Sequence, residues 1–319
     1  EVLLHLYDHY GHAMVERIRG MFALAIHDRE RGGVFLARDG FGIKPLYYTD
    51  DGKSIRFASQ VKALLAGGGL DTSPSAAGHA GFYVWGYVPE PWTMFKNIHA
   101  LPAGSTLWIN KNGHAAPYRY FDVIAELETA NNGSDNWSQD DLRYALLETL
   151  KYHLVADVSV GTFLSAGLDS ATIVGLASEI KTDALHSITL AFEEFKGTQF
   201  DEAALAEKIA THYQTAHRTQ RIKGEDFHEE YTRLCNAMDQ PSIDGVNTYF
   251  VSKMTAETGL KVAMSGLGGD ELFGGYQSFS EIPKMTRLLG VLPGAQSAGK
   301  LVRKLSAPIF SLMTSPKYA

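Results

Sequence analysis

Leu164-Ser-Ala-Gly-Leu-Asp-Ser170 is a loop that an apolar segment enters and a helical pattern leaves. Residues 158–164 are predicted to form a buried strand, and residues 170–181 to form a helix. Short buried strands continue to alternate with helices downstream of this loop. Because this alternation is typical of a parallel sheet covered by helices, we expect a parallel-sheet α/β domain in the second half of the chain.

The same loop has the features of an anion site. It combines backbone N–H groups, two hydroxyls and the positive end of a helix dipole at one point. Gly167 is expected to allow a conformation or a close approach that a Cβ would hinder. The chain contains no Gly-x-x-x-x-Gly-Lys-Ser/Thr pattern, so this is not the phosphate cradle of common NTPases. The structural alternative is a plain strand–helix turn, which is common in parallel-sheet folds.

A second loop, Ser265-Gly-Leu-Gly-Gly-Asp-Glu-Leu-Phe-Gly-Gly-Tyr276, also follows a short apolar strand. Its five glycines among twelve residues cost backbone entropy, so we expect a function that needs this backbone exposed. A tight strand–helix connection is the structural alternative. The acidic residues Asp270 and Glu271 in the same loop favour the functional interpretation.

The two loops are predicted to open into one crevice if their strands are neighbours, because ligands of open parallel sheets bind beyond the carboxyl ends of the strands. Asp169 and Asp270 would then face a bound polyphosphate, which carboxylates repel unless a divalent cation lies between them. Mg²⁺ held by one or two carboxylates and phosphate oxygens is the usual arrangement. We therefore predict a nucleotide site with Mg²⁺ bound by Asp169 and Asp270.

Length and composition limit what kind of protein this is. A length of 319 residues suggests two domains. The formal net charge of −7 argues against a nucleic-acid partner, whose phosphates need a basic face. No apolar run approaches the roughly 18 residues of a membrane span, so we expect no membrane partner and a cytoplasmic protein. The single cysteine, Cys235, excludes an intrachain disulfide and is expected to be a small core hydrophobe.

The first 121 residues have a different pattern, rich in short strands. Three hairpins are predicted, within residues 20–38, 46–58 and from 106 past 114. A polar stretch at 126–141 is interpreted as a linker or boundary loop. The predicted organisation is a β-rich domain at 1–121, a linker at 122–140 and an α/β domain at 141–319.

Several motifs together resemble a known family. Ser165-Ala-Gly-Leu-Asp-Ser170 resembles the pyrophosphate-loop motif Ser-Gly-Gly-x-Asp-Ser of N-type ATP pyrophosphatases. With the loop at 265–276, it resembles the synthetase domain of glutamine-hydrolysing asparagine synthetases. The first 121 residues are similar to the second half of a class II glutaminase domain, through residues 20–28, 37–48, 57–64 and 101–104.

This resemblance implies a fold and a reaction. The fold is a partial, β-rich α+β glutaminase domain of the N-terminal-nucleophile type, followed by a parallel-sheet α/β ATP pyrophosphatase domain. The implied reaction is adenylation of a carboxylate by ATP, aspartate in the named family, after which glutamine-derived ammonia displaces AMP to give an amide. The ATP-binding residues implied by the resemblance are Leu164, Ser165, Gly167, Asp169, Ser170, Leu190, Ser265 and Gly266, and the implied metal ligands are Asp169 and Asp270.

Three departures from the family accompany this resemblance. The nucleophilic cysteine of a class II glutaminase is not in this chain, so we expect a fragment of a longer protein, also truncated at its C-terminus, that does not hydrolyse glutamine. Leu267 stands where asparagine synthetases typically carry a glutamate proposed to take a proton from ammonia, and a leucine cannot act as a base. Ala166 replaces a loop glycine, and the alanine fits if this residue has an ordinary φ.

Two alternatives follow from these departures. One is a related ligase that amidates or cyclises another carboxylate, as β-lactam synthetases and peptide cyclases do, and Leu267 favours it. The other is a nucleotide-binding scaffold without catalysis, because a shared fold does not guarantee activity. The sequence leaves the oligomeric state open, with a homodimer as one assembly.

Overall fold

The computed structural model of the chain describes residues 1–132, 137–181 and 183–290. These residues form two compact units, each assembled from several segments of the chain. The first unit consists of Glu1–Glu148, Leu190–Asp201 and Thr219–Lys261. The second consists of Thr149–Thr189, Glu202–Arg218 and the chain from Val262 onward.

The first 121 residues are built around two antiparallel sheets. Their strands are β1 (Ala23–Asp28), β2 (Gly33–Arg38), β3 (Tyr47–Asp50), β4 (Ile55–Ala58), β5 (Ile98–Ala100), β6 (Ser105–Asn110), β7 (Gly113–His114) and β8 (Tyr118–Arg119). One sheet has the order β1-β2-β6-β7 with β8 also paired to β6, and the other has the order β4-β3-β5. The three predicted hairpins are confirmed as the antiparallel pairs β1–β2, β3–β4 and β6–β7.

Four α-helices lie in residues 1–132: α1 (Val2–Tyr10), α2 (Val61–Ala66), α3 (Ala76–Trp85) and α4 (Val123–Asn132). A 3-10 helix, Gly11–Arg17, follows α1. A buried apolar cluster joins the two sheets, because Leu36 and Leu107 from the first sheet pack with Tyr48 from the second. Successive residues of β2 point to opposite faces of its sheet, and both faces are covered: Leu36 packs in this cluster, whereas Phe35 and Ala37 pack in a second one.

The loop after β2 is fixed by a buried carboxylate. Asp39 is 1% exposed and accepts the main-chain amides of Phe22 at 3.2 Å, Ile43 at 2.9 Å and Lys44 at 2.9 Å. The neighbouring Arg38 is also buried and donates to three carbonyl oxygens, those of Gly42, Lys44 and Leu101. A buried charge is stable only when its hydrogen-bonding capacity is satisfied, so these contacts explain why the 37–48 motif needs both residues.

The rest of the chain alternates helices and strands. The elements are α5 (Gln139–His153), β9 (Val160–Phe163), α6 (Leu168–Ile180), β10 (His186–Phe192), α7 (Ala203–His212), β11 (Ala216–Ile222), α8 (Gly224–Ala237), α9 (Gly245–Glu257), β12 (Val262–Met264), α10 (Gly269–Phe273) and α11 (Ser278–Gly290). The strands form a sheet of order β11-β10-β9-β12, in which β9 pairs in parallel with both β10 and β12. The predicted parallel-sheet α/β fold is confirmed.

The core of the second unit lies between this sheet and its helices. Val160 and Met264 from the strands pack with Val174 and Ala177 of α6 and with Ala206 of α7. The apolar faces of the helices therefore cover the strands that lead into the two glycine-rich loops.

Three local expectations differ from the structure. The polar stretch interpreted as a loop is helical over Val123–Asn132, and β11 was not predicted at all. Cys235 is exposed rather than part of the core, because α8 turns Leu234 inward and leaves the next position on its outer side. Residues 291–319 lie outside the described residues. Within the described ranges, no helix is long and apolar enough to cross a membrane.

Candidate functional site

The first loop leaves the carboxyl end of β9 and is held by hydroxyl groups. Leu164 is buried, and its amide donates to the carbonyl oxygen of Ile188 at 2.8 Å. The buried Ser170 hydroxyl donates to the carbonyl oxygens of Ser165 at 2.9 Å and Gly167 at 3.1 Å. Ser170 therefore ties the start of α6 back onto the loop, and its hydroxyl is occupied by main-chain acceptors.

The conformation of Gly167 differs from the expectation. Its φ of −71° is accessible to any residue, and a Cβ there would meet only the Ser165 hydroxyl oxygen, at 3.3 Å. Ala166 is not among the residues with positive φ, so the alanine that replaces a family glycine is unstrained. The first loop therefore needs neither of these positions to be glycine for its own backbone.

The second loop leaves the carboxyl end of β12, the strand next to β9. Val262 and Met264 stand opposite Val160 and Thr162, so the ends of the two strands lie side by side. Gly268 has a φ of 94°, in the left-handed region that favours glycine, and it begins the short helix α10.

Asp169 of the first loop packs directly against glycines of the second. A Cβ on Gly266 would lie 3.0 Å from the Asp169 Cβ, and a Cβ on Gly269 would lie 2.3 Å from its Oδ2 atom. Gly275 has the same relationship with Asp270, where a Cβ would lie 2.0 Å from Oδ1. The glycines of the second loop thus leave room for two carboxylates.

Three carboxylates influence one phenol in this site. The Tyr276 hydroxyl donates to Glu271 Oε1 at 2.9 Å. This hydrogen bond raises the pKa of Tyr276 above its usual value, and partial burial and the negative charges of Glu271, Asp270 and Asp169 raise it further. Asp169 and Asp270 therefore act on the same hydroxyl from two different loops. No local sequence pattern assigns this role to Tyr276, because it depends on side chains from two loops.

The donor set suits a cation that is shared with a substrate. Among the described ranges, no group of three or more His, Cys, Asp or Glu side chains is arranged to hold a metal ion. Magnesium usually takes one or two carboxylates and completes its shell with substrate phosphates and water. Asp169 and Asp270 fit that pattern.

The remaining predicted positions are distributed over the same strands. Ser265 and Gly266 begin the second loop, and the Ser265 hydroxyl accepts the amide of Leu267 at 3.3 Å. Leu190 lies in β10, in the part of this strand that belongs to the first compact unit, where it packs beside the buried cluster of Ile222 and Phe250. That its backbone contacts ATP stays a prediction.

Comparisons with known proteins agree with these features. The asparagine synthase family profile matches residues 141–315, and that of the glutamine amidotransferase domain matches residues 1–121. A putative glutamine-hydrolysing asparagine synthetase of Methanocaldococcus jannaschii is 31% identical over 305 residues, which are 91% of this chain and 58% of that protein.

Two further relatives show the range of names among similar proteins. Asparagine synthetase 1 of Bacillus subtilis, also named glutamine-hydrolysing, is 33% identical over 284 residues, 88% of this chain and 43% of the relative. Amidase chry2 of Gibberella zeae is 28% identical over 302 residues, with the same 88% and 43% coverage. The chain thus spans about half the length of the curated relatives it matches. On the strength of the family match and of the paired loops, the chain belongs to the family of glutamine-hydrolysing asparagine synthetases.

Proposed function

We propose that this chain catalyses the ATP-dependent formation of an amide from a carboxylate, with asparagine formed from aspartate as the reference reaction. A carboxylate oxygen attacks the α-phosphorus of ATP, the bond to pyrophosphate breaks, and an acyl-adenylate forms. Ammonia then attacks the acyl carbon and loses a proton, and AMP leaves. The region at 1–121, which the glutamine amidotransferase profile matches, belongs to the part of such an enzyme that releases this ammonia from glutamine.

The observation that carries this proposal is the contact of Asp169 with Gly266 and Gly269 of the neighbouring loop. It supports a single diphosphate-binding crevice, because both loops leave the carboxyl ends of adjacent parallel strands. The N-terminus of α6 and the backbone of both loops present N–H groups where charge develops on the departing pyrophosphate.

The proposed ATP-binding residues have distinct roles. Main-chain groups of Leu164, Leu190 and Gly266 contact the nucleotide, and the exposed Ser165 and Ser265 hydroxyls face its phosphates. The Ser170 hydroxyl keeps the first loop in shape through the carbonyl oxygens of Ser165 and Gly167, and the backbone of Gly167 faces the phosphates. Asp169 and Asp270 would hold Mg²⁺, which would neutralise phosphate charge when it is bound with ATP.

A second candidate is a related ligase that acts on a carboxylate other than aspartate. It is favoured by Leu267, which is 90% exposed beside the site and cannot take a proton from an incoming amine. Two fungal relatives named as amidases, 26–28% identical, also support a family whose members differ in substrate. A scaffold that binds ATP without releasing AMP is the third candidate.

A pyrophosphate exchange assay tests the proposal. Labelled pyrophosphate should enter ATP only when Mg²⁺ and a suitable carboxylic acid are present, and addition of ammonia should then release AMP. Asp169→Asn and Asp270→Asn should each lower exchange at least a hundredfold. Asp157→Asn is the matched control, because Asp157 is an exposed carboxylate of the same compact unit.

The outcomes separate the candidates. Exchange with aspartate identifies an asparagine synthetase, and exchange with other acids alone identifies the related ligase. Tight binding of ATP without exchange for any acid identifies the scaffold. Full activity of the Asp169 and Asp270 variants would refute the assignment of the site.

A further inference from the structure

The two leucines that flank Asp169 are unusually exposed. Of the large apolar side chains in the described ranges, Leu267 is the most exposed, at 90%, and Leu168 reaches 83%. Leu168 directly precedes Asp169 in the chain. Leu267 lies between Gly266 and Gly269, the two glycines that contact Asp169.

The exposure of these leucines is imposed by an ordered backbone. The Leu267 amide donates to the Ser265 hydroxyl at 3.3 Å, and the Gly269 amide donates to the Gly266 carbonyl oxygen at 3.1 Å. Leu168 is the first residue of α6, whose first turn Ser170 ties to the loop. Apolar surface left in water is unfavourable, so two ordered loops that each present a leucine gain free energy when an apolar group covers both side chains.

Charge indicates which group that is. The charged side chains in residues 164–170 and 265–276 are Asp169, Asp270 and Glu271, all of them acidic. Aspartate carries two carboxylates and one ammonium, and neither loop carries a cation to receive the second carboxylate beside Asp169, Asp270 and Glu271. An acceptor with a single carboxylate and an apolar remainder meets complementary surfaces instead.

We propose that Leu168 and Leu267 bind the apolar part of a monocarboxylic acceptor and select it over aspartate. This inference rests on the proposed function, of which it names the substrate class. The carboxylate of the acceptor points toward the nucleotide at Asp169, and its apolar chain lies between the two leucines.

Methyl NMR tests the binding directly. The full chain with ¹³C-labelled leucine and valine methyls is loaded with Mg²⁺ and an ATP analogue that has a methylene group between the α and β phosphorus atoms. Hexanoate and 4-phenylbutyrate should shift the methyl signals of Leu168 and Leu267, whereas aspartate should not. Val155 is the internal control, since it is 81% exposed in the same compact unit but outside both loops.

Pyrophosphate exchange tests the selectivity. The measured quantity is the ratio of exchange with the apolar acids to exchange with aspartate. Leu267→Glu should lower this ratio at least tenfold. Leu168→Ala should lower it about tenfold, as expected when one aliphatic contact is lost. Val155→Ala should leave the ratio unchanged.

Each outcome decides one of the two proposals. Methyl shifts caused by aspartate, or by no acid, overturn the inference. Exchange that favours aspartate in the unmodified chain also overturns it, while leaving the proposed function standing. If no acid supports exchange, the proposed function fails, and the methyl shifts alone then decide whether the leucines bind an apolar carboxylate.

Discussion

The carboxylate of Asp239 accepts the main-chain amide of Val61 at 2.8 Å, although the two residues are 178 positions apart. Its other oxygen accepts the amide of Lys62 at 2.9 Å. Gln60, the N-cap residue of α2, makes no capping hydrogen bond with its own side chain. Asp239, from the segment matched by the asparagine synthase profile, therefore caps a helix in the segment matched by the glutamine amidotransferase profile.

Loss of this cap should weaken the first compact unit. Asp239→Ala should lower the free energy of unfolding by about 1–2 kcal/mol, the usual cost of removing a helix cap. Urea denaturation measures the change, and hydrogen exchange should show faster exchange at Val61 and Lys62. Asp244→Ala is the control, because it removes an exposed carboxylate nearby. Equal effects of the two variants would contradict the capping role.

A methyl group at Gly269 should disable the site without unfolding the chain. The added Cβ would lie 2.3 Å from Asp169 Oδ2, so the carboxylate must move away from the second loop. We expect Gly269→Ala to lower pyrophosphate exchange at least tenfold while circular dichroism stays unchanged. Gly224→Ala, at a helix start with space for a Cβ, should retain full exchange. Normal exchange by the Gly269 variant would show that the position of Asp169 is unimportant.

Tyr276 should report metal binding. Because negative charges from Asp169 and Asp270 help to raise the pKa of its phenol, a cation bound between those carboxylates should lower that pKa. Incorporation of 3,5-difluorotyrosine at position 276 brings the titration into an accessible range, where ¹⁹F NMR can follow it with and without Mg²⁺ and ATP. The downward shift should disappear in Asp169→Asn. An unchanged pKa in the unmodified site would argue against a metal at these two residues.

A carboxylate between α8 and α9 should make stability depend on pH. The Tyr249 hydroxyl donates to Glu230 at 2.5 Å, and the Lys253 ammonium donates to the same carboxylate at 2.9 Å. These two hydrogen bonds hold the pKa of Glu230 below its usual value. A depressed pKa in the folded state stabilises the fold above the unfolded value of about 4.3, and this contribution is lost as the pH falls through the folded pKa.

Denaturation between pH 7 and pH 3 measures this contribution. The unmodified chain should be more stable than Glu230→Gln at pH 7, and the difference should shrink as the solution is acidified. Glu229→Gln provides the control on the neighbouring exposed position of α8. A difference that stays constant with pH would mean that the ionised form of Glu230 is not what the network stabilises.

Local patterns predicted most of the fold. The hairpins were evident from apolar runs separated by turn residues, and the parallel sheet from strands alternating with helices. β11 was missed because Ala216-His-Arg-Thr-Gln-Arg-Ile222 is polar over most of its length. The α4 segment has the sequence pattern of a loop because it ends in Asn131 and Asn132, both weak helix formers.

The site was only partly evident from sequence. The two loops and their acidic residues stand out as motifs, and the structure places Asp169 against the second loop. Gly266 and Gly269 have no room for a Cβ, whereas Gly167 has. This difference could not be predicted from the sequence, because it depends on the approach of two segments that are distant in the chain. The cap from Asp239 was missed for the same reason, since its partners are 177 and 178 positions away.

The chain passes between the two compact units after Glu148, Thr189, Asp201, Arg218 and Lys261. A nick within residues 133–136 leaves fragments that each carry part of the first unit, including the two sides of the Asp239–Val61 contact. The nicked halves should therefore remain associated under native conditions, and halves expressed from separate genes should find each other and restore the joint structure.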